Sequence, residues 1–197
     1  MEALLRALLE LGSAFFLAVT IGLTLGLTIG LRRFAYLTLM PIVIFLFAIP
    51  QSTLLPIFTV LFGIGSSAKI AYGFSHGVFP VLVTVIAAVQ KLKPSLVVAA
   101  QSMGATRLQI IRHVIVPAII PSFFTGIRLG MAATLIGVLL AELYISQQGI
   151  GYFTKSFAIE FDPAGLFALI ALLSAIAVII NEALRRIENH FSRWRQH

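Results

Sequence analysis

The sequence predicts an all-α integral membrane protein with about five transmembrane helices and a helical, polar loop on the cytoplasmic side, between spans three and four. Three observations predict it. Hydrophobic residues make up 59% of the 197 residues and charged residues only 11%, where soluble domains carry roughly a quarter. The apolar residues run in stretches close to the roughly 20 needed to cross hydrocarbon. The basic residues gather in alternate gaps between those stretches. No polar linker divides the chain, so one domain over residues 1–197 is expected. Cysteine is absent, which excludes disulfides and thiolate metal sites, and no metal site is expected. The net charge of +7 sits between and after apolar runs. It describes membrane topology and not a nucleic-acid partner.

The first span covers about residues 14–31 and ends at Arg32-Arg33. It is too long for a signal core and has no small-residue cleavage site, so it is read as a retained span. Gly22, Gly26 and Gly30 repeat every four residues, as do Thr20, Thr24 and Thr28 on another face. The glycine stripe suits close helix packing. The second span, about 36–63, holds Pro41, Pro50 and Pro56, with Gln51, Ser52 and Thr53 at mid-span. It is either a broken helix beside a solute path or a kinked packing helix whose hydroxyls bond their own carbonyls.

The third span, about 70–89, places His76 between Gly73 and Gly77. An intramembrane histidine is a pathway candidate, or a neutral group bonded to a neighbouring helix. The fourth, about 119–145, carries Arg128 and Glu142. Their spacing of about 21 Å along a helix forbids a mutual pair. Arg128 either snorkels to the inner surface or pairs with an acid, while Glu142 reaches the outer interface. The fifth, about 165–184, starts at Asp162 as N-cap and Pro163 as first helical residue.

Arg32, Arg33, Lys91, Lys93, Arg107, Arg112, Arg185, Arg186, Arg193 and Arg195 fall on one side of this topology, against Arg6, Lys69 and Lys155 on the other. The bias puts the N-terminus outside and the C-terminus in the cytoplasm.

The loop over about residues 91–118 has its own helical signals. Lys93-Pro94-Ser95 starts a helix, and Leu96, Val97, Ala99, Ala100 and Met103 give it an apolar, small-residue surface. Gly104 breaks it. Thr106 caps a second short helix, with Gln109 at the capping-box position. Leu108, Ile111 and Ile115 then share a face opposite Arg107 and His113, and Pro117 and Pro121 limit how the chain returns to the membrane. Such a knob either inserts into a groove on another protein or lies on anionic lipid.

Ala99-Ala100, three residues, Gly104, nine residues, then Val114, Ile115, Val116 and Pro117 resemble the Glu-Ala-Ala motif of inner-membrane permease subunits of ATP-binding-cassette (ABC) importers. Val98 stands where that motif has glutamate, and valines replace its isoleucine and leucine. The stretches IPQSTLLPIFTVLFGIG, PAIIPSFFTGIRLG, LLAELY and GIGY are similar to the nitrate, sulfonate and taurine branch, over roughly residues 15–186.

The resemblance implies a multi-pass permease of a bacterial-type inner membrane. It would move a small solute, such as nitrate, a sulfonate, taurine or a similar organic anion, delivered by an external binding protein. It implies coupling helices that dock on an ABC ATPase through Ala99, Ala100, Met103, Gly104, Ala105, Arg107, Arg112 and Pro117. An ATPase pair would hold ATP and Mg, a second permease chain would complete the pathway, and this chain would bind membrane lipid and no cofactor. Val98 shifts docking toward shape, or toward a partner permease with the intact motif. The branch has an additional N-terminal span, so this chain starts where the second would stand.

The sequence has no phosphate-cradling glycine loop with Lys and Ser/Thr, so no enzyme activity is expected of it. The translocation pathway is expected near Gln51, Ser52, Thr53 and His76. The alternatives are a non-transporting scaffold and a stand-alone carrier or channel. The scarcity of mid-membrane charge argues against proton or sodium coupling.

Overall fold

The computed structural model describes residues 2–146 and 149–192. They form α1 (Glu2–Leu31), α2 (Arg33–Ala48), α3 (Leu55–Phe62), α4 (Ser66–Gln90), α5 (Pro94–Ser102), α6 (Arg107–Ile110), α7 (Val116–Ile145), α8 (Ile150–Ile159) and α9 (Pro163–Ser192), with no strand among them. Leu5–Leu31, Ser66–Gln90, Arg107–Ile145 and Pro163–Glu188 are each long and apolar enough to cross a membrane. Arg33–Ala48 and Gln51–Phe62, bent by 80°, pass the same test only together, which gives up to five spans.

The break has a local cause. Pro50 offers no N–H, and a residue before proline avoids helical geometry. Ile49 accordingly lies at φ −63°, ψ 128°. Residues Gln51–Leu54 then turn tightly before α3. The second span expected over about 36–63 is therefore two helices, the broken one of its two readings. The first span also differs, since α1 begins well before residue 14. Arg6 and Glu10 end the apolar run, but both are good helix formers.

The second loop helix was expected to be separate and short. Instead α6 runs without interruption into α7 as one 39-residue helix, Arg107–Ile145. A widened π turn over Ile111–Ile115 joins them, with the Val116 N–H reaching the Ile111 carbonyl. Pro117 follows at once. Its ring crowds the carbonyl four residues back, and the widened turn makes room for it. Helix α8 is too short to span and went unanticipated. The start of α9 is as expected, with Asp162 Oδ1 accepting the Gly165 N–H at 3.1 Å.

The centre is α4, packed between α1 and α7. A Cβ on Gly22, Gly26 or Gly30 would come within 2.9, 2.8 and 3.0 Å of Val81, Val85 and Val89, respectively. The two sets of numbers rise together, so α1 and α4 run parallel. On the other face Gly73 meets Val138, Gly77 meets Thr134 and Gly130, and Gly126 meets Thr84. Those numbers run in opposite senses, so α7 is antiparallel to α4. The α1 threonines donate back to carbonyls of their own helix, as from Thr24 to Thr20 and from Thr28 to Thr24.

This topology gathers the C-terminal ends of α1 and α4, the start of α6 and the C-terminal part of α9 at one end. Arg32, Arg33, Lys91, Lys93, Arg107, Arg112, Arg185 and Arg186 lie there; Arg193 and Arg195 lie outside the described residues. Arg128 of α7 pairs with Glu188 of α9, resolving its two expected fates in favour of an acid.

The glycine register predicts a contrast within α1. Gly26→Ala should destabilise the bundle by about 1–3 kcal/mol through overpacking. Gly12→Ala, with open space around it, should be neutral or stabilising by up to about 1 kcal/mol from helix propensity. Thermal unfolding in detergent checks both, and equal effects would discard the register.

Candidate functional site

The loop between α4 and α7 is closed at each corner by local hydrogen bonds. Pro94 opens α5 in its first turn, where a missing N–H costs nothing. At its end, the Ala105 N–H donates to Ala100 O at 3.1 Å and the Gly104 N–H to Gln101 O at 2.9 Å. This paired cap needs a left-handed residue, and Gly104 has φ +77°. Ala100 and Ala105 meet beneath it as part of one apolar cluster. The Thr106 side chain then accepts the Gln109 N–H while Gln109 Oε1 accepts the Thr106 N–H, the reciprocal cap expected from the sequence.

Helix α5 and the base of α7 are sewn to the bundle by the same side chains that seat α4. Ala100, Ile110, Ile115 and Ile119 form one buried cluster with Val81, Val85 and Val89. Ile110 and Ile115 are five apart, and the π turn brings them to one face. The face expected from 3.6-residue spacing therefore needs correcting. Leu108 points outward, 73% exposed, and Ile110 takes its place.

The outward tip is apolar: Met103 is 81% exposed and Val98 56%. Ala99, Gly104, Arg107 and Arg112 are also exposed, Ala105 is half-buried and Ala100 is buried. Pro117 is half-buried at the base of α7, away from the tip.

The second candidate group sits at the bend between α2 and α3. Ser52 and Thr53 are exposed, and Thr53 Oγ1 donates to Pro50 O at 2.6 Å. Gln51 turns inward. Its backbone carbonyl accepts from Tyr72 Oη at 3.2 Å, and its Oε1 is buried with no hydrogen-bond partner. His76 lies one turn along α4, its ring 4.5 Å from that of Tyr72. Its Nδ1 donates to Tyr72 O at 3.0 Å, a bond within α4 where one to a neighbouring helix was expected. The ring meets α7 at Gly137, where a Cβ would come within 2.9 Å of it. Gln51 and His76 thus meet through Tyr72, whereas Ser52 and Thr53 face away.

A third polar group escaped the sequence reading. Glu142 does not reach an outer interface; it is 1% exposed, and its Oε2 accepts the Gly151 N–H at 2.9 Å. Buried Lys69 and Glu10 lie beside it, paired at 3.1 Å. Glu10 and Glu142 each interrupt an apolar run, and that was the available signal. Among the described residues no three His, Cys, Asp or Glu side chains gather closely enough to hold a metal ion.

Known proteins are similar to this chain. The formylaminopyrimidine transport permease protein ThiX of Halalkalibacterium halodurans is 31% identical over 75% of this chain and 59% of its own length. The taurine transport system permease protein TauC of Escherichia coli is 29% identical over 98% of this chain and 68% of its own length. The chain thus spans about three fifths to two thirds of these relatives. A chain from inward-facing structures of the MetNI methionine ABC transporter superposes with a TM-score of 0.79 at 22% identity, covering 97% of each. That likeness establishes the fold. The family described as binding-protein-dependent transport system inner membrane components matches residues 18–193, nearly the whole bundle with its loop, and the chain belongs to it.

Proposed function

We propose that the chain is a permease subunit of an ABC importer and that it carries a small solute inward after delivery by an external binding protein. The observation that carries this reading is the loop. Its exposed apolar tip at Val98, Met103 and Leu108 is capped at both corners and continuous with the packing of α4. A rigid apolar knob flanked by Arg107 and Arg112 suits a groove on a partner. A push on Ala99, Ala100, Met103, Gly104 or Ala105 reaches α4 and α7 through buried contacts. The partner is an ATPase pair holding ATP and Mg, and a second permease chain completes the pathway. The basic end, with the loop and the C-terminus, faces the cytoplasm, and the N-terminus faces out.

The names of relatives bear on the solute. They include a formylaminopyrimidine and taurine, so the class is a small polar organic molecule, with sulfonates and similar organic anions the first to test. Its path runs along the bend at Gln51, Ser52 and Thr53, with His76 alongside. An unpartnered buried amide oxygen on Gln51 is an acceptor that a passing polar solute can use.

Three outcomes test this. Gentle detergent extraction should recover an ABC ATPase with the chain, and Met103→Asp with Leu108→Asp should abolish that recovery. Gly104→Val forces a β-branched residue into left-handed backbone at about 1–2 kcal/mol, which depopulates the seated loop roughly 5–30-fold. Uptake in proteoliposomes should fall accordingly while ATP hydrolysis and membrane levels persist, and Gly104→Asn should retain more uptake because asparagine tolerates that backbone. Wild-type uptake by Gly104→Val would sink the docking reading. Gln51→Leu should slow uptake with ATPase recovery unchanged, and unaltered uptake would remove Gln51 from the path.

A further inference from the structure

The turn between α8 and α9 holds the one non-glycine residue with positive φ among the described residues, Phe161 at φ 53°. Two caps fix it there. At the end of α8 the Asp162 N–H donates to Phe157 O at 2.9 Å and the Phe161 N–H to Ala158 O at 3.4 Å, a paired cap whose left-handed position glycine usually fills. Directly after it, Asp162 Oδ1 accepts the Gly165 N–H and starts α9. In left-handed backbone a Cβ crowds the following carbonyl. The ring recovers little of that cost within the chain, since Phe161 is 90% exposed. The surroundings hold the strain and aim a bare aromatic side chain outward.

Phe161 stands at a membrane boundary, because the span Pro163–Glu188 begins just after it. The most apolar window of that span is 6% buried, and Phe167 near its start is 71% exposed. Surface that faces hydrocarbon therefore begins directly below the ring. Acidic residues bracket it, Glu160 exposed and Asp162 half-buried. Carboxylates are costly inside the bilayer, so the backbone stays at the water and only the ring reaches toward hydrocarbon. A protein partner fits this turn less well. Even with Ile159, 66% exposed, the apolar patch falls short of a stable interface, since a phenylalanine buries roughly 200 Å² and each side of such an interface roughly 800 Å².

We propose that Phe161 is an interfacial lipid anchor. Its ring dips into the headgroup-level boundary of the bilayer at the end of the bundle away from the loop, and this contact holds the corner between α8 and α9 at a set depth. Removing an aromatic ring from water gains free energy of the same order as the left-handed backbone costs. Lipid thus offsets the strain that the chain itself leaves standing. Aromatic side chains at this level anchor spans and interfacial helices in general. The inference uses the turn and the span alone and holds whether or not the chain transports a solute.

The test uses the full chain in phospholipid nanodiscs. Trp194 is the sole tryptophan of the sequence, so Phe161→Trp combined with Trp194→Phe gives a single fluorescent reporter at the turn. Its emission should be blue-shifted and should lose intensity to phospholipid brominated near the headgroup. It should lose less to phospholipid brominated at the chain end, and little to aqueous iodide. Strong iodide quenching without bromine quenching would leave the ring in water and overturn the proposal. Quenching by neither would mean a covering protein surface, a second copy included, and overturn it too. Stronger loss to chain-end bromine would place the ring inside the span and count equally against it. The sequence has no cysteine, so a nitroxide on Phe161→Cys repeats the measurement without tryptophan's bulk. Its ratio of oxygen to water-soluble nickel accessibility should fall between those of Phe167→Cys in α9 and of Gln101→Cys, exposed in the loop. A ratio matching either reference would overturn the anchor.

Discussion

Close contact between α4 and its two neighbours is the constraint on which the rest of the structure depends. In lipid, an apolar side chain gains little by leaving the hydrocarbon for another helix. Van der Waals contact at short backbone distance must therefore hold the bundle. Glycine on α1 facing valine on α4 provides it along one side. Glycines on both α4 and α7 provide it along the other. Val81 serves both interfaces, lying against Gly22 and Gly130. Valine is stiff at χ1, so it fills these notches with little rotamer entropy lost.

The loop inherits its rigidity from that contact. Val81, Val85 and Val89 face α1, and the cluster they head extends to Ala100, Ile110, Ile115 and Ile119. Helix α5 joins that cluster through Ala100, its buried residue. Two local devices preserve this continuity. The Gly104 cap gives partners to the Ala100 and Gln101 carbonyls at the end of α5, and the π turn lets the helix proceed into Pro117. The other flank is looser. Helix α2 has one buried residue, Val43, and the most apolar window of α9 is 6% buried.

Much of this was legible because it is written in local chemistry. The Asp162-Pro163 start, the Thr106 and Gln109 cap, the Gly104 corner and the glycine stripe each depend on a few neighbouring residues. The broken second span was foreseen as one of two readings, with the backbone at Ile49 following from Pro50. What stayed hidden required either a change of helical period or long-range pairing. The π turn moved Ile110 inward and Leu108 outward, which no uniform 3.6-residue count reveals. Arg128 and Glu188 are far apart in sequence, as are Glu10 and Lys69, and nothing in either local pattern names its partner. The His76 bond fell within its own helix because Tyr72 O lies one turn back, the nearest acceptor to a ring wedged against Gly137.

The distribution of charge completes the physical picture. One ionic contact, Arg128 with Glu188, ties α7 to α9 toward the loop end. Glu10, Lys69 and Glu142 tie α1, α4 and α7 at the other. Buried ions cost several kcal/mol each, and hydrogen bonds must offset that. Glu142 gains one from the Gly151 N–H at the start of α8, where the helix dipole also favours a carboxylate. Gly149 and Gly151 keep that approach open, since a Cβ on either would come within 2.5 and 2.6 Å of Glu142 atoms, respectively. Helix α8 is thus seated by a hydrogen bond to a buried carboxyl as well as by apolar contact. Away from these ionic contacts, the polar side chains of the bundle bond backbone carbonyls, as Tyr72, His76 and Thr134 do.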